Sequence, residues 1–329
     1  MSNFNSMNSL TIVMYHYVRD LKKTTFPKIK GLDISLFEEQ LKYIKRLYNV
    51  ISGFELIEII NSKSKLPPKA MLLTFDDGYS DHFFNVYPLL KKYNLSGIFF
   101  PPAECITANK VLDVNKIHFI LASIKNEENL IQYINNRLDE YRDAYNLESN
   151  EFYMSKLGKK NRWDSAKIIF IKRILQLELP EKLRKIIIDD IFEQYVTNDI
   201  ASFSKELYMN VDQISSLHSD GMYIGSHAYS HRWLNHLNEE EQKIEINSSL
   251  DFLKKIGNNT KDWIMCYPYG GYNDTTLKIL ENYNCRLGLT TKVGIANLKQ
   301  DNLLTLPRLD TNDLPKNSNA NPNKWFLKT

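Results

Sequence analysis

Two short polar clusters, far apart in the chain, carry side chains that together could hold a metal ion and act beside it. The first is MLLTFDDGYSD, in which Asp76 and Asp77 follow the apolar run 71–75. The second is MYIGSHAYSH, in which His227 and His231 follow residues 222–225. One carboxylate with two imidazoles is a set that zinc-like ions accept with a further position left open. A second carboxylate beside that set can take a proton from water made acidic by such an ion. The combination points to metal-dependent hydrolysis. The i, i+4 spacing of the histidines lets both rings face one side of a helical turn. Adjacent aspartates before a glycine also suit an ordinary turn, so the argument rests on the two clusters together.

The elements that must position these residues are short apolar runs alternating with amphipathic stretches. Residues 10–15 read as a buried strand ending at His16, 71–75 as a second, and 97–100 as a third, closed by Pro101 and Pro102. Residues 35–48 place Leu36, Phe37, Leu41, Ile44 and Leu47 at helical spacing behind Ser35 as the N-cap. A further helix is expected around 83–93. After mid-chain the rhythm returns, with strands at 222–225, 263–266, 286–290 and 303–306 and helices at 239–256 and 274–283. In the first of these helices Ile244, Ile246, Leu250, Leu253 and Ile256 form the apolar side. Such alternation implies an α/β fold with a parallel sheet, open or closed into a barrel.

Each reactive cluster follows one of these strands. His16 follows TIVMY, Asp76 and Asp77 follow MLLTF, and His227 follows MYIGS; Tyr267 and Tyr269 follow WIMC, and Arg308 follows LLTLP. In parallel α/β folds, ligands and catalytic groups gather at the carboxyl ends of strands. The remaining histidines, His82, His118, His218 and His236, show no such pattern and read as surface residues.

The middle of the chain, 103–210, breaks the rhythm. Helical periodicity at 113–124, 127–145, 164–178 and 181–196 marks it as a large helical insertion between two barrel segments, 8–102 and 211–312. The Asn-rich tail 315–329 is expected to be poorly ordered. A net charge of +3 from scattered basic residues gives no nucleic-acid footprint. Cys105, Cys266 and Cys285 cannot form a disulfide framework and read as buried thiols. No apolar run reaches transmembrane length, and the N-terminus lacks a basic signal region, so a cytoplasmic protein is expected.

TFDDGY at 74–79, SHAYSH at 226–231 and YPYG at 267–270 resemble, in order, the first three motifs of the polysaccharide deacetylase family, the NodB-homology domain of carbohydrate esterase family 4. The resemblance covers roughly 8–102 and 211–312 and implies a distorted (β/α) barrel with fewer than eight strands. It implies Asp76 as catalytic base and Asp77, His227 and His231 as metal ligands. The backbone N–H of Tyr269 would help stabilise the oxyanion. Two positions depart from the family pattern. Its third motif usually opens with an arginine that orients the base, and Cys266 stands there. Its C-terminal general-acid histidine is missing, since no histidine follows His236. Arg308 is the candidate partner for Asp76. His16, in MYHYV, resembles the N-terminal histidine of the branch that deacetylates poly-N-acetylglucosamine, whose third motif likewise reads YPYG.

The expected activity is removal of the N-acetyl group from an amino sugar in surface-polysaccharide or glycoconjugate biosynthesis. His16 would protonate the departing amine. The ion is expected to be zinc, with cobalt, nickel or iron also suited to the ligand set. With no export signal read in the sequence, a nucleotide-linked, lipid-linked or free sugar is favoured over a glycan polymer. Hydrolysis of another amide or of an O-acetyl ester, and a catalytically silent glycan-binding protein, are the alternatives.

Overall fold

The computed structural model describes residues 8–160 and 164–329. Among them are eleven strands: β1 (Ser9–Tyr15), β2 (Val18–Arg19), β3 (Leu32–Asp33), β4 (Asn49–Val50), β5 (Ala70–Asp76), β6 (Ile98–Phe100), β7 (Tyr223–Ile224), β8 (Trp263–Cys266), β9 (Cys285–Leu289), β10 (Ala296–Asn297) and β11 (Leu309–Asp310). β1 and β5 form the longest ladder, parallel, with Leu10 opposite Ala70 and Tyr15 opposite Phe75. The main sheet runs β10-β1-β5-β6-β7, with β11 beside β1 and β4 beside β5. β8 and β9 pair separately, also in parallel. The expected parallel order therefore holds for the principal strands, but β10 lies antiparallel to β1 and makes the sheet mixed. Two single bridges connect the pieces, Ser226 with Met265 and Leu289 with Leu306.

The strands read as continuous apolar runs because they are covered on both faces. Period-2 alternation sends Val13, Tyr15, Met71, Leu73 and Phe75 to one core, and Leu10, Ile12, Ala70 and Leu72 to another. The second core also gathers Phe100, Tyr223, Ile264, Cys266, Leu289 and Leu306.

Several expectations are corrected. The helix Ile34–Leu47 is capped by Asp33, whose side chain accepts from the Ser35 N–H, so the cap lies two residues before Ser35. Residues Leu303–Thr305 form a 3-10 turn, capped by Asn302, in place of a strand. The 83–93 helix begins as a π-helical turn, His82–Val86, followed by an α-helix Tyr87–Tyr93. In Glu239–Lys255, Ile244 is 63% exposed while its neighbour Glu245 is buried.

Contacts divide the chain into two units. The first comprises residues up to Asp20, Gly31–Lys110 and Ser204–Thr329; the second, Leu21–Lys30 and Val111–Phe203. The second unit is thus narrower than 103–210 and takes in a preceding segment. Among its described residues there is no strand, and Ile117, Leu130, Ile134, Phe170, Ile187 and Phe192 are buried. In the first unit the tail 315–329 is packed: Trp325 is buried in the core, and Arg46 donates to the carbonyls of Ser318 and Ala320. Its asparagines act as local caps, Asn323 accepting from the Trp325 N–H, which is why polar composition misleads there. All three cysteines are buried and free. No helix among the described residues is long and apolar enough to cross a membrane.

Candidate active site

The DDG turn sits at the end of β5. Asp77 takes φ 70° and Gly78 φ 66°, a left-handed pair that turns the chain sharply away from the strand. A Cβ on Gly78 would also lie 2.9 Å from the Pro101 Cα, so glycine is required twice over. The turn sends the two carboxylates in different directions.

Asp77 is buried, and its Oδ2 accepts from the Tyr79 hydroxyl at 2.5 Å. That bond leaves Oδ1 with no hydrogen-bond partner. It lies 3.4 Å from His227 Nε2 and 3.3 Å from His231 Nε2, and the three ligand atoms fall within 4.8 Å of one another. His227 Nδ1 lies 2.7 Å from the Cys266 carbonyl oxygen. A carbonyl can only accept, so Nδ1 carries the proton and Nε2 is left as a ligand atom. A buried, unpartnered carboxylate oxygen between two imidazole nitrogens fits a divalent cation. Burial disfavours charge on both rings. His227 is nevertheless pulled well up by Cys266 and Asp77, while His231 is pushed down by burial and by His227; the two rings do not both carry a positive charge. Burial also works against ionised Asp77, but the two histidines close to its Oδ1 hold it well below the usual carboxylate range.

The histidine loop is not the expected helical turn. Residues 227–231 are irregular, with Ala228 at φ 58° and His231 at φ 59°. The bend is held by Glu245, whose carboxylate accepts from the Tyr229 N–H at 3.1 Å, the Ser230 N–H at 2.8 Å and the Ser230 hydroxyl. The rings of His227 and His231 end 4.8 Å apart.

Asp76 faces Arg308. The guanidinium donates from Nη1 to Oδ1 at 2.9 Å and from Nη2 to Oδ2 at 2.8 Å, and both residues are buried. The fork is itself fixed, because Nε donates to the Thr290 carbonyl at 2.9 Å and Nη1 to the Thr74 hydroxyl at 3.1 Å. Burial pushes the Asp76 carboxyl up, but Arg308, with help from His227 and His16, outweighs it and holds the group at about 2. Asp76, His227 and Cys266 also lie close enough to be considered as ligands. Arg308 occupies both Asp76 oxygens there, and burial pushes the Cys266 thiol up, so a cation is better served by Asp77, His227 and His231.

His16 follows β1 with its side chain 42% exposed and Nε2 3.9 Å from Asp76 Oδ2. Tyr269, in the left-handed region at φ 57°, sets its ring 4.7 Å from His231 and stacks on Trp233 at 4.4 Å. All seven expected site residues thus lie in the first unit. Three supporting residues had no role in the site assigned from sequence: Tyr79, Glu245 and His82. Of the histidines expected at the surface, His236 is exposed and His118 and His218 are half-buried. His82 is fully buried, with Nε2 2.9 Å from the His16 carbonyl oxygen.

A sequence model of the family described as Polysaccharide deacetylase matches residues 63–132 and 192–288, about half of the chain. The chain belongs to the polysaccharide deacetylase family. The matched blocks contain Asp76, Asp77, His227, His231 and Tyr269; His16 and Arg308 fall outside them. YxkH of Bacillus subtilis, named for polysaccharide deacetylation, is 21% identical over 295 residues, 88% of this chain and 67% of YxkH. The poly-beta-1,6-N-acetyl-D-glucosamine N-deacetylase of Escherichia coli is 26% identical over 95 residues, 29% of this chain and only 14% of that protein. Among solved structures, the Streptococcus pyogenes deacetylase PplD superposes with a TM-score of 0.56 at 20% identity, over 92% of both chains. A de-N-acetylase from Aggregatibacter actinomycetemcomitans gives 0.54 at 18%, over 95% of this chain and 97% of that one. At these identities the structural likeness shows the fold: an α/β fold of the family's kind, with a mixed sheet and many helices.

Proposed function

We propose that the chain is a metal-dependent N-deacetylase of an N-acetylated amino sugar, belonging to the branch with an N-terminal proton donor and a YPYG third motif. The reading rests on one juxtaposition: the Asp77, His227 and His231 ligand atoms converge beside an Asp76 carboxylate clamped by Arg308. When bound there, a divalent cation, zinc by default, supplies Lewis acidity, polarising an acyl carbonyl and making nearby water acidic.

The chain's own residues do the rest. Asp76, ionised at neutral pH, takes a proton from the attacking water. Its low proton affinity suits it only to a water that is already acidified. Arg308 orients the carboxylate and keeps it charged. The Tyr269 N–H donates to the oxygen that gains charge as water adds to the acetyl carbon. His16 Nε2 gives a proton to the sugar nitrogen as its bond to that carbon breaks. The products are acetate and a free amine. The bridges Ser226–Met265 and Leu289–Leu306 support closure of the strands into a distorted barrel, as does the core shared by β1, β5, β6, β8 and β9.

The substrate is proposed as an N-acetylglucosamine-type sugar in glycan or glycoconjugate biosynthesis, in keeping with the name of the Escherichia coli relative. Acetate release by the metal-loaded protein from N-acetylglucosamine oligomers and from nucleotide-linked N-acetyl sugars tests this, with Asp76→Asn as the control. Release from either set that vanishes in the control supports deacetylation and chooses between polymer and nucleotide sugar. Cleavage of acetyl esters with no acetate from any N-acetyl sugar would sink the amide reading.

A further inference from the structure

His82 opens the π-helical turn at His82–Val86, outside the ligand and base motifs, and is fully buried. The rings of Phe75, Tyr79 and Phe99 stand 5.6, 5.5 and 5.9 Å from it. Its Nε2 lies 2.9 Å from the His16 carbonyl oxygen, which can only accept. Nε2 therefore carries the proton and Nδ1 is a bare acceptor. That Nδ1 is buried without a hydrogen-bond partner. Burial holds the ring's proton affinity down, at about 4, against the pull of the His16 carbonyl, so the imidazole is neutral and the tautomer stable near neutral pH.

Packing does not explain this residue. An aromatic cage accepts phenylalanine without the cost of an orphaned buried nitrogen. What histidine adds is a single N–H, and it is directed at the backbone of His16. That backbone needs holding, since residue 16 lies between β1 and β2, and the next backbone tie along the chain is the Tyr17 carbonyl, which accepts from the Leu32 N–H at 2.9 Å. At 3.9 Å from Asp76 Oδ2, the His16 ring is also beyond hydrogen-bond reach of the carboxylate. The position of the imidazole is thus set mainly by its own backbone.

We propose that His82 is a positioning residue for the proton donor: its Nε2–H anchors the His16 carbonyl and so fixes where the His16 imidazole stands beside Asp76. The inference rests on the reading of His16 as the donor. Catalytic groups displaced by about 1 Å can lose on the order of 100-fold in rate. The loss here should appear only where the leaving group needs a proton.

The test compares two substrates on the metal-loaded full chain: an N-acetylglucosamine oligomer, whose amine must be protonated, and an aryl acetate, whose phenolate leaves unaided. His82→Phe keeps the packing and removes the donor. It should lower amide turnover by roughly 10- to 100-fold, with aryl acetate turnover and bound metal within about twofold of the parent chain. His16→Ala should show the same selectivity more strongly, and His82→Phe added to it should do no further harm. His82→Gln, whose side-chain amide can donate to the same carbonyl, should recover part of the loss. If His82→Phe does not fold, His82→Asn, too short to reach the carbonyl, is read in its place. Equal loss on both substrates, no loss, or multiplicative effects of the two substitutions overturn the role of His82. Undiminished amide turnover in His16→Ala overturns the donor reading itself, whatever His82 does.

Discussion

Replacing Arg308 by methionine removes the guanidinium fork that Asp76 faces and leaves the carboxylate buried. Four hydrogen bonds go with it: two to Asp76, one to the Thr290 carbonyl and one to the Thr74 hydroxyl. Breaking a buried pair by removing one partner costs about 3–5 kcal/mol. A carboxylate can escape most of that cost by taking up a proton, at about 1.4 kcal/mol per pH unit. The Asp76 group, held at about 2 in the intact protein, should therefore climb by roughly 2–4 units, to somewhere near 4–6. A base works only when deprotonated, so the acid limb of the kcat/KM profile should move to higher pH by that interval. At a pH below the new limb, activity falls a further tenfold per unit. Stability carries the opposite signature to the parent chain. With its folded value now above the ordinary carboxylate value of 3.8, Asp76 costs stability at high pH, and the cost fades as pH falls through the shifted value. Urea midpoints should show a deficit in Arg308→Met that is largest at pH 8 and shrinks by pH 4. Arg308→Met/Asp76→Asn should regain stability without regaining activity. Arg308→Lys, which keeps the charge but not the fork, should fall between. An Arg308→Met enzyme whose acid limb and pH-dependent stability match the parent would refute the argument that this pair holds the base.

Other outcomes follow from the same geometry. Chelation should abolish acetate release and added zinc or cobalt should restore it; Asp77→Asn should resist restoration at metal levels that saturate the parent. Tyr79→Phe frees Asp77 Oδ2, and Glu245→Ala frees the bend between His227 and His231. Each should weaken cobalt binding, followed by absorbance, about 10- to 100-fold, while Glu245→Gln, still able to accept from the loop, should bind nearly as the parent does; equal affinity in all three would show that the supports are dispensable. His82, held at about 4 by burial against 6.5 when unfolded, contributes stability that is full above pH 6.5 and lost as pH falls toward 4. That loss is about 3 kcal/mol. His82→Phe should flatten the corresponding slope of urea stability against pH, and parallel slopes would contradict it.

The residues legible in the sequence were those that end strands. β1 and β5 are seven-residue apolar runs and β8 a four-residue one, so His16, the DDG turn and the YPYG turn could be placed at their carboxyl ends without coordinates. Arg308 was legible for the same reason, although 303–306 forms a turn and not a strand. The residues that hold the site were hidden by their neighbours. Glu245 sits in EEEQKIE, where one buried carboxylate looks like any of several solvated ones. Its place one residue before Ile246, in line with buried Ser249 and Phe252, was the available signal. His82 lies in a helical stretch with no second histidine at ligand spacing. Tyr79 sat inside a recognised motif with no role attached. The loop at 227–231 was misread because i, i+4 spacing implies a helix only where backbone hydrogen bonds are free to form one, and Glu245 takes two of those N–H groups.

The cation that restrains Asp76 comes from residue 308, next to β11, and not from the end of β8, where the family's usual arginine would stand and Cys266 is buried. Restoring the common residue should therefore do harm. Cys266→Arg would bring a second guanidinium to a carboxylate whose two oxygens are already taken, leaving a buried positive charge without a counterion. A consensus redesign of this chain would damage its active site at the position where it looked most obviously in need of repair. Relocating the charge requires a paired exchange, Cys266→Arg together with Arg308→Met. In lineages of this fold the two positions should then change in step, through intermediates that carry either no cation or one too many.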